Sequence, residues 1–313
     1  MNESPENAHL TQHAKEVKEW WELPRNLRWD KFYTRNDITS FRLEARQTMT
    51  LKYLDGLGLS RGARILELGY GAGQTASKVL ERGYQYVGID ISQQLCDAAV
   101  RRCQDYVAKG MAHFRVGSIE ESYPFSDQSF DVVMVIGALQ YLGHQGTCAK
   151  EAHRVLKKNG HFIVCQTNMY SLKEMLSPRG LILRILYALL KEEYEIFPYS
   201  FKSMLVNTKL GRTFRRYEHA RWMNHPLMLK GHEEKIFNIN KRLNSYWRLK
   251  KILQLEEFEV LKADGAPFIW PDDKGTRHYM WRINAVCQKV ADNHLFPFLF
   301  AFADNVILLT RKA

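Results

Sequence analysis

The chain has 313 residues and a net charge of +11 at pH 7, and 45% of its side chains are hydrophobic and 25% charged. This composition is typical of a globular protein, and it excludes a disordered chain, a collagen-like repeat and a disulfide-rich scaffold. The five cysteines form no CxxC pair, which favours a reducing compartment and argues against a structural zinc site, so we assign no metal. The first dozen residues are polar, and the longest nearly apolar stretch is too short to cross a bilayer. We therefore expect a cytoplasmic protein.

The first 58 residues predict a helical cap, in which Pro24 divides an aromatic-rich helix and a second helix covers 37–57. Short apolar segments then alternate with helical segments of ten to fifteen residues, the pattern of a parallel sheet with helices on both faces. The first five strands are predicted over 63–68, 84–90, 113–118, 130–137 and 161–167, with helices over 74–82, 93–109 and 144–157.

The alternation of strands and helices is lost after residue 168, where helical pieces are predicted over 172–193 and 200–217. It returns with a helix over 243–256 and strands over 257–264 and 305–312. We therefore predict an α/β fold: a doubly wound, mostly parallel, seven-stranded Rossmann-like sheet with an N-terminal helical cap and a helical insertion after strand 5. Its segments are the cap (1–58), the core (59–168), the basic insertion (169–243) and the C-terminal part of the core (244–313).

Positive charge is concentrated in one part of the chain. Residues 199–251 contain thirteen basic and three acidic side chains, a net charge of +10. Such a field attracts phosphates, acidic acceptors, anionic lipid surfaces or nucleic acid, although a charge run is also typical of a solvated helical face. The apolar, partly basic run 179–193 precedes it, so peripheral contact with an anionic membrane is one hypothesis and burial of that helix against the sheet is the other.

A glycine-rich turn follows the first predicted strand, in the sequence ELGYGAG over 67–73. Glycines at this bend let the backbone turn sharply and let a ligand lie against it, since a Cβ atom would collide. Asp90 ends the next strand, where a carboxylate can accept both ribose hydroxyls of an adenosine-type ligand. The combination of loop, strand and acid therefore predicts a nucleoside-binding site.

The spacing of the glycines argues against other phosphate-binding loops. No GK[ST] sequence follows, which excludes a P-loop. A dinucleotide fingerprint that starts at Gly69 would need glycine or alanine at the position of Gln74. A fingerprint that starts at Gly71 matches the sequence pattern, but it begins too late after the strand. The loop points instead to a ligand with an amino-acid tail.

The segments ELGYGAG, VGID, VGSIEESYPFSDQSFDVVMVIGALQYL and EAHRVLKKNGHFIV together resemble the class I S-adenosylmethionine-dependent methyltransferases, in the small-molecule group that includes the quinone-biosynthesis C-methyltransferases. The resemblance implies S-adenosyl-L-methionine as cofactor. It also implies ten cofactor-binding residues: Glu67, Gly69, Gly71, Gly73, Asp90, Ile91, Ser118, Ile119, Ile136 and Gly137.

The resemblance also implies what these residues do. The glycine loop would hold the methionine part of the cofactor, with Glu67 near its amino group, and Asp90 would bind the ribose. The pair after the third strand, 118–119, would flank the adenine, and the pair at the end of the fourth strand, 136–137, would form the floor under the sulfonium. The sequence departs from the family at Tyr70, where a small residue is usual, so that its ring either overhangs the cofactor or turns outward.

Methyl transfer needs a base only when the acceptor must lose a proton. Tyr141 and His144, after the fourth strand, are the candidate catalytic residues, with a packed tyrosine and a surface histidine as the alternative interpretations. The leading hypothesis is methyl transfer to a small-molecule or lipid-linked, possibly anionic, acceptor held by the basic insertion. The alternatives are an RNA methyltransferase, since aromatic residues are interleaved with the cations of 199–251, and a non-catalytic cofactor-binding scaffold.

Overall fold

A computed structural model describes residues 10–23, 38–168, 243–266 and 299–313, together with the single residues Tyr33, Arg282, Val286 and Lys289. The helices among them are α1 (Gln12–Trp21), α2 (Ile38–Gly56), α3 (Gln74–Glu81), α4 (Gln93–Arg102), α5 (Gln104–Ala108), α6 (Gln145–Val155) and α7 (Tyr246–Leu255). The strands are β1 (Arg64–Leu68), β2 (Gln85–Asp90), β3 (Ala112–Val116), β4 (Phe130–Ile136), β5 (Leu156–Thr167), β6 (Phe258–Ala266) and β7 (Asn305–Lys312).

The seven strands form one sheet in the order β3-β2-β1-β4-β5-β7-β6. All pairs from β3 to β5 are parallel, and β7 is antiparallel to both of its neighbours. The chain order reverses between β1 and β4, so the connections that follow these two strands leave the sheet in opposite directions and open a crevice at their carboxyl ends. This confirms the predicted doubly wound, mostly parallel, seven-stranded fold.

The central strands are buried on both faces, because helices cover the sheet on each side. One face, with Leu66, Val133 and Phe162, packs against α6 and α7, and the other, with Ile65, Val132 and Ile163, packs against α2 and α3. These strands read as near-continuous apolar runs for that reason, and their carboxyl ends meet at one edge of the sheet.

Helix α2 lies against β4, β5, β6 and β7. Two long-range contacts attach it to the end of the chain: the Tyr53 hydroxyl donates to Asp264 at 2.8 Å, and Arg42 forms an ion pair with the buried Asp304 at 2.6 Å. The helix is thereby fixed across the sheet with its first turns near the carboxyl edge.

Several boundaries differ from the sequence prediction. The helix predicted over 93–109 is two helices, α4 and α5, separated at Cys103. The helix predicted to end at 157 and the strand predicted to begin at 161 are replaced at this boundary by β5, which begins at Leu156 and accommodates Asn159 in a left-handed conformation (φ +61°). The helical pieces predicted over 172–193 and 200–217 lie outside the described residues, and the division into four segments stays a prediction.

The described part of the chain contains no helix long and apolar enough to cross a membrane. Across the same residues, no group of three or more histidine, cysteine or acidic side chains is arranged to hold a metal ion. Four cysteines, Cys96, Cys103, Cys148 and Cys165, are buried as free thiols.

Candidate cofactor site

The glycine loop connects β1 to α3 at the carboxyl edge of the sheet. Gly69, Gly71 and Gly73 all have positive φ angles, of 76°, 57° and 78°, a conformation that glycine adopts without steric cost. A Cβ atom at Gly69 would collide with the side chain of Ala138, and one at Gly73 would lie 3.0 Å from the Cβ of Ala99. The glycines are therefore required both by the turn and by the close approach of the neighbouring loops.

Asp90 ties this loop to the end of β2. One carboxylate oxygen accepts a hydrogen bond from the Gly71 amide at 2.9 Å, and the other accepts one from the Ser92 amide at 3.1 Å. Burial raises the pKa of this carboxyl, and the backbone amides oppose that rise. The amide of Ile91 is a third backbone partner of this carboxylate, which has about four acceptor positions, so Asp90 can hold the loop and still accept a hydrogen bond from a ligand.

Glu67 is a buried carboxyl in β1, with 2% of its surface exposed. Burial is the main cause that raises the pKa of Glu67 to about 8, and the negative charge of Asp90 raises it further. Two groups lower it: the hydroxyl of Tyr86, which donates a hydrogen bond to the carboxyl at 2.7 Å, and the Arg46 cation. A protonated carboxyl at neutral pH becomes an anion when a cation comes near it. Glu67 can therefore pair with the ammonium group of a ligand.

The Tyr70 ring turns towards the sheet and away from the loop's open side. It covers Gly88, where a Cβ atom would collide with the ring, and its hydroxyl donates to the carbonyl of Arg115 at 3.2 Å. The ring also contacts Phe114 edge-on, with 5.2 Å between the ring centroids. The glycine at position 88 thus makes room for the tyrosine that the loop carries, and the larger residue is accommodated inside the core.

The residues expected around the adenine and the sulfonium follow β3 and β4, two strands that β2 and β1 separate in the sheet. Ser118 is buried after β3, where its hydroxyl accepts a hydrogen bond from the Glu120 amide at 3.2 Å, and the Ile119 side chain lies in the core beside α6. Ile136 packs in the core on the opposite face, and Gly137 has a φ angle of +72°. All four positions lie at or just beyond the carboxyl ends of parallel strands.

Helix α1 brings together two predicted site residues from different loops. Its buried Val17 and Trp20 pack with Ile91, which follows β2, and with Tyr141, which follows β4. The imidazole of His13 lies 2.8 Å from the backbone oxygen of Tyr141, and the Tyr141 ring contacts Trp21 edge-on at 5.4 Å. The contacts of the Tyr141 ring are therefore those of a packed tyrosine, the alternative interpretation of this residue.

His144 lies elsewhere. It lines a cavity of about 400 Å³ between α6 and α7, together with Lys150, Arg248 and Glu256. None of the residues that line this cavity is among the ten expected to bind the cofactor. The backbone amides of Gly143 and His144 both donate hydrogen bonds to the carboxylate of Glu120.

Two residues of the site carry no signal in the sequence motifs. Arg46, on α2, places its guanidinium directly over Gly137, where a Cβ atom would collide with it. The Arg46 side chain is hydrogen-bonded to the hydroxyl of Tyr33, whose pKa is raised by burial, and both residues lie within electrostatic range of Glu67. The arginine thus stands over the ends of β1 and β4, within the crevice that the glycine loop borders.

These residues fit a nucleoside with a charged amino-acid tail. The loop offers the backbone of three glycines, Asp90 offers an acceptor for a hydroxyl group, and the Glu67 carboxyl and the Arg46 cation lie within electrostatic range of each other. A doubly wound sheet with such a loop at its switch point defines a nucleoside-binding α/β domain.

Residues 66–164 match the family described as "Methyltransferase domain". The chain is 30% identical over 110 residues to demethylmenaquinone methyltransferase of Tropheryma whipplei, covering 35% of this chain and 44% of that protein. It is 32% identical over 122 residues to the mouse 18S rRNA (guanine-N(7))-methyltransferase, covering 38% and 41%. The chain thus spans less than half the length of these curated relatives.

A solved structure from Thermotoga maritima, described as a S-adenosylmethionine-dependent methyltransferase and possible histamine N-methyltransferase, shares the fold. The TM-score is 0.52 at 17% identity, over 95% of this chain and all of that one. At this identity the likeness shows the fold alone. The domain match over residues 66–164 and the sheet order identify the described core as a class I S-adenosylmethionine-dependent methyltransferase domain.

Proposed function

We propose that this chain is an enzyme that transfers the methyl group of S-adenosyl-L-methionine to a small-molecule or lipid-linked acceptor. The observation that carries the proposal is the Asp90 carboxylate, which fixes Gly71 and keeps an acceptor position for a ribose hydroxyl at the switch point of the sheet. The methyltransferase domain match over 66–164 supports the same assignment. The relative from Tropheryma whipplei, a quinone-precursor methyltransferase by its name, supports a small-molecule acceptor.

When bound, the cofactor supplies a methyl group on a sulfonium, which is transferred by in-line displacement. The chain's own contribution is alignment and exclusion of water. The glycine loop and Asp90 orient the nucleoside, while Ile136 and Gly137 form the floor beneath the reacting centre. Helix α1 packs on Ile91 and Tyr141, the residues that follow β2 and β4 at the carboxyl edge of the sheet. No residue is needed as a base unless the acceptor must lose a proton.

A nucleic-acid acceptor is the second candidate. Its support is the likeness over 122 residues to a protein named as an 18S rRNA methyltransferase, and the net charge of +10 over residues 199–251. A third candidate, a cofactor-binding scaffold, differs from both in lacking transfer to any acceptor.

The test is methyl transfer from radiolabelled cofactor into separate pools of lipid extract, small metabolites and total RNA, with the purified full-length chain. We expect label in the lipid or small-molecule pool. The control variant Asp90→Ala should keep the fold and bind S-adenosylhomocysteine about tenfold to a hundredfold more weakly, the range for a lost hydrogen bond to a charged acceptor. Label in RNA alone would favour the second candidate, and binding without label in any pool would favour the scaffold. Unchanged binding by Asp90→Ala would contradict the assignment of this residue.

A further inference from the structure

Glu120 joins two loops at the carboxyl edge of the sheet through one carboxylate oxygen. This oxygen accepts hydrogen bonds from the backbone amides of Gly143 and His144, the second at 3.1 Å. The backbone amide of Glu120 itself donates to the hydroxyl of Ser118 at 3.2 Å. The residue therefore connects the segment after β3, which is expected at the adenine, with the segment after β4, which carries Tyr141.

A third element meets these two loops at Gly143. A Cβ atom at this position would lie 3.3 Å from Oε1 of Glu120 and 3.5 Å from the imidazole Cδ2 of His13, on α1. The same imidazole lies 2.8 Å from the backbone oxygen of Tyr141. Three segments that are distant in the sequence therefore meet at one backbone position without a side chain.

The two bonds to Glu120 fix the course of the main chain. Hydrogen bonds from backbone amides to a carboxylate are charge-assisted, and they are stronger than bonds between neutral groups. His144 is the N-cap residue of α6, and its side chain makes no capping bond. The Glu120 carboxylate therefore holds the start of α6 as well as the loop that precedes it.

On the basis of the proposed function, we propose that Glu120 is a positioning residue that couples the nucleoside site to the segment beside the acceptor. A nucleoside held against Ser118 and Ile119 restricts the segment that carries Glu120, and the two hydrogen bonds pass this restriction to residues 141–144. Once one segment is ordered, ordering the next costs less conformational entropy. Residues 136–137 are expected beneath the sulfonium, so the segment that follows them borders the acceptor and is fixed more firmly when the cofactor is bound.

Hydrogen exchange followed by mass spectrometry measures this coupling without an acceptor. The full-length chain is compared free and saturated with S-adenosylhomocysteine, on peptides that cover the glycine loop and residues 139–147. In the wild type, we expect binding to slow exchange in both peptides. In Glu120→Ala, the amides of Gly143 and His144 should exchange about tenfold to a hundredfold faster, the range for a lost hydrogen bond to a charged acceptor. Binding to this variant should slow exchange in the glycine loop and no longer over 139–147.

Three further variants separate coupling from general effects. Glu120→Gln keeps an oxygen at the position of Oε1, the one atom to which both amides bond, so it should restore the slowed exchange over 139–147. Asp105→Ala removes an exposed acid from α5 and should behave as the wild type. If Glu120→Ala fails to fold, Gly143→Ala takes its place, because a methyl group 3.3 Å from Oε1 loosens the same contact and should reduce the slowing over 139–147.

The outcomes distinguish this proposal from the one on which it rests. If the wild type binds S-adenosylhomocysteine without slower exchange over 139–147, or if Glu120→Ala keeps the full slowing there, Glu120 does not couple the two segments, while the assignment of the cofactor stands. If Glu120→Gln behaves as Glu120→Ala does, the negative charge acts in place of the hydrogen bonds, and the proposal is wrong. If the wild type does not bind S-adenosylhomocysteine, the proposed function is wrong and the role of Glu120 is refuted with it.

Discussion

Replacement of Glu67 by glutamine tests the electrostatics of the site directly. In the folded chain, burial raises the pKa of this carboxyl to about 8, whereas its ordinary value is 4.5. Between these two pH values the folded state holds a proton that the unfolded state has lost, so the free energy of unfolding falls as pH rises through the window. At 1.36 kcal/mol per pKa unit, the full decline is on the order of 5 kcal/mol. Glu67→Gln has no such proton and should give a flatter curve.

The same group links cofactor binding to pH. If the ammonium of the cofactor pairs with Glu67, binding converts a protonated carboxyl into an anion and releases a proton. At pH 7 about nine-tenths of a group with a pKa near 8 is protonated, so binding should release close to one proton per molecule, and the affinity should rise with pH until about 8. In Glu67→Gln, the release attributable to this residue should be absent.

Two measurements check these expectations. Urea unfolding at several pH values between 5 and 8 gives the stability curves, and calorimetry of S-adenosylhomocysteine binding in buffers of different ionisation enthalpy gives the number of protons released. Glu81→Gln, at an exposed position at the end of α3, is the matched control and should behave as the wild type. Parallel stability curves for the wild type and Glu67→Gln, with equal proton release, would refute the reasoning.

Three further predictions concern the loop, α2 and the basic segment. Gly71→Val should abolish S-adenosylhomocysteine binding and lower the free energy of unfolding by about 1–2 kcal/mol, because a β-branched residue is strained at a φ of +57°; normal binding by calorimetry would place the ligand elsewhere. Arg42→Ala removes the ion pair between Arg42 and the buried Asp304, so it should lower the free energy of unfolding in urea by about 2–4 kcal/mol. A decrease below about 0.5 kcal/mol, the size of an ordinary surface substitution, would contradict the importance of this pair. Docking of residues 199–251 on a membrane predicts sedimentation with anionic vesicles at low salt and release at high salt, whereas equal, negligible binding would argue against membrane contact.

The features that sequence predicted well are those encoded locally. The strand, the glycines and Asp90 all fall within one stretch of 30 residues, and each follows from a short-range rule of turn geometry or hydrophobic pattern. The alternation of strands and helices similarly predicted the sheet. The boundaries that differed, at Cys103 and at Asn159, depend on single backbone conformations that no apolar period records.

The features that sequence missed depend on distant packing. Arg46 lies in an ordinary helical stretch, and nothing in its neighbours indicates that the guanidinium reaches Gly137, 91 positions further along the chain. The meeting of Ile91 and Tyr141 under α1 is likewise a product of the three-dimensional arrangement. Tyr70 appeared as a departure from the family, and only the glycine at position 88 explains how its ring is accommodated.

The contacts that fix α2 also set the order in which the site can mature during synthesis. Arg42 is joined to Asp304 across 262 positions, and Tyr53 to Asp264 across 211. A ribosome therefore releases the glycine loop and Asp90 long before it makes the residues that hold the arginine-bearing helix in place. Until residues 264 and 304 have been made, α2 lacks both of these contacts, and Arg46, which the same helix carries, is not yet fixed over Gly137.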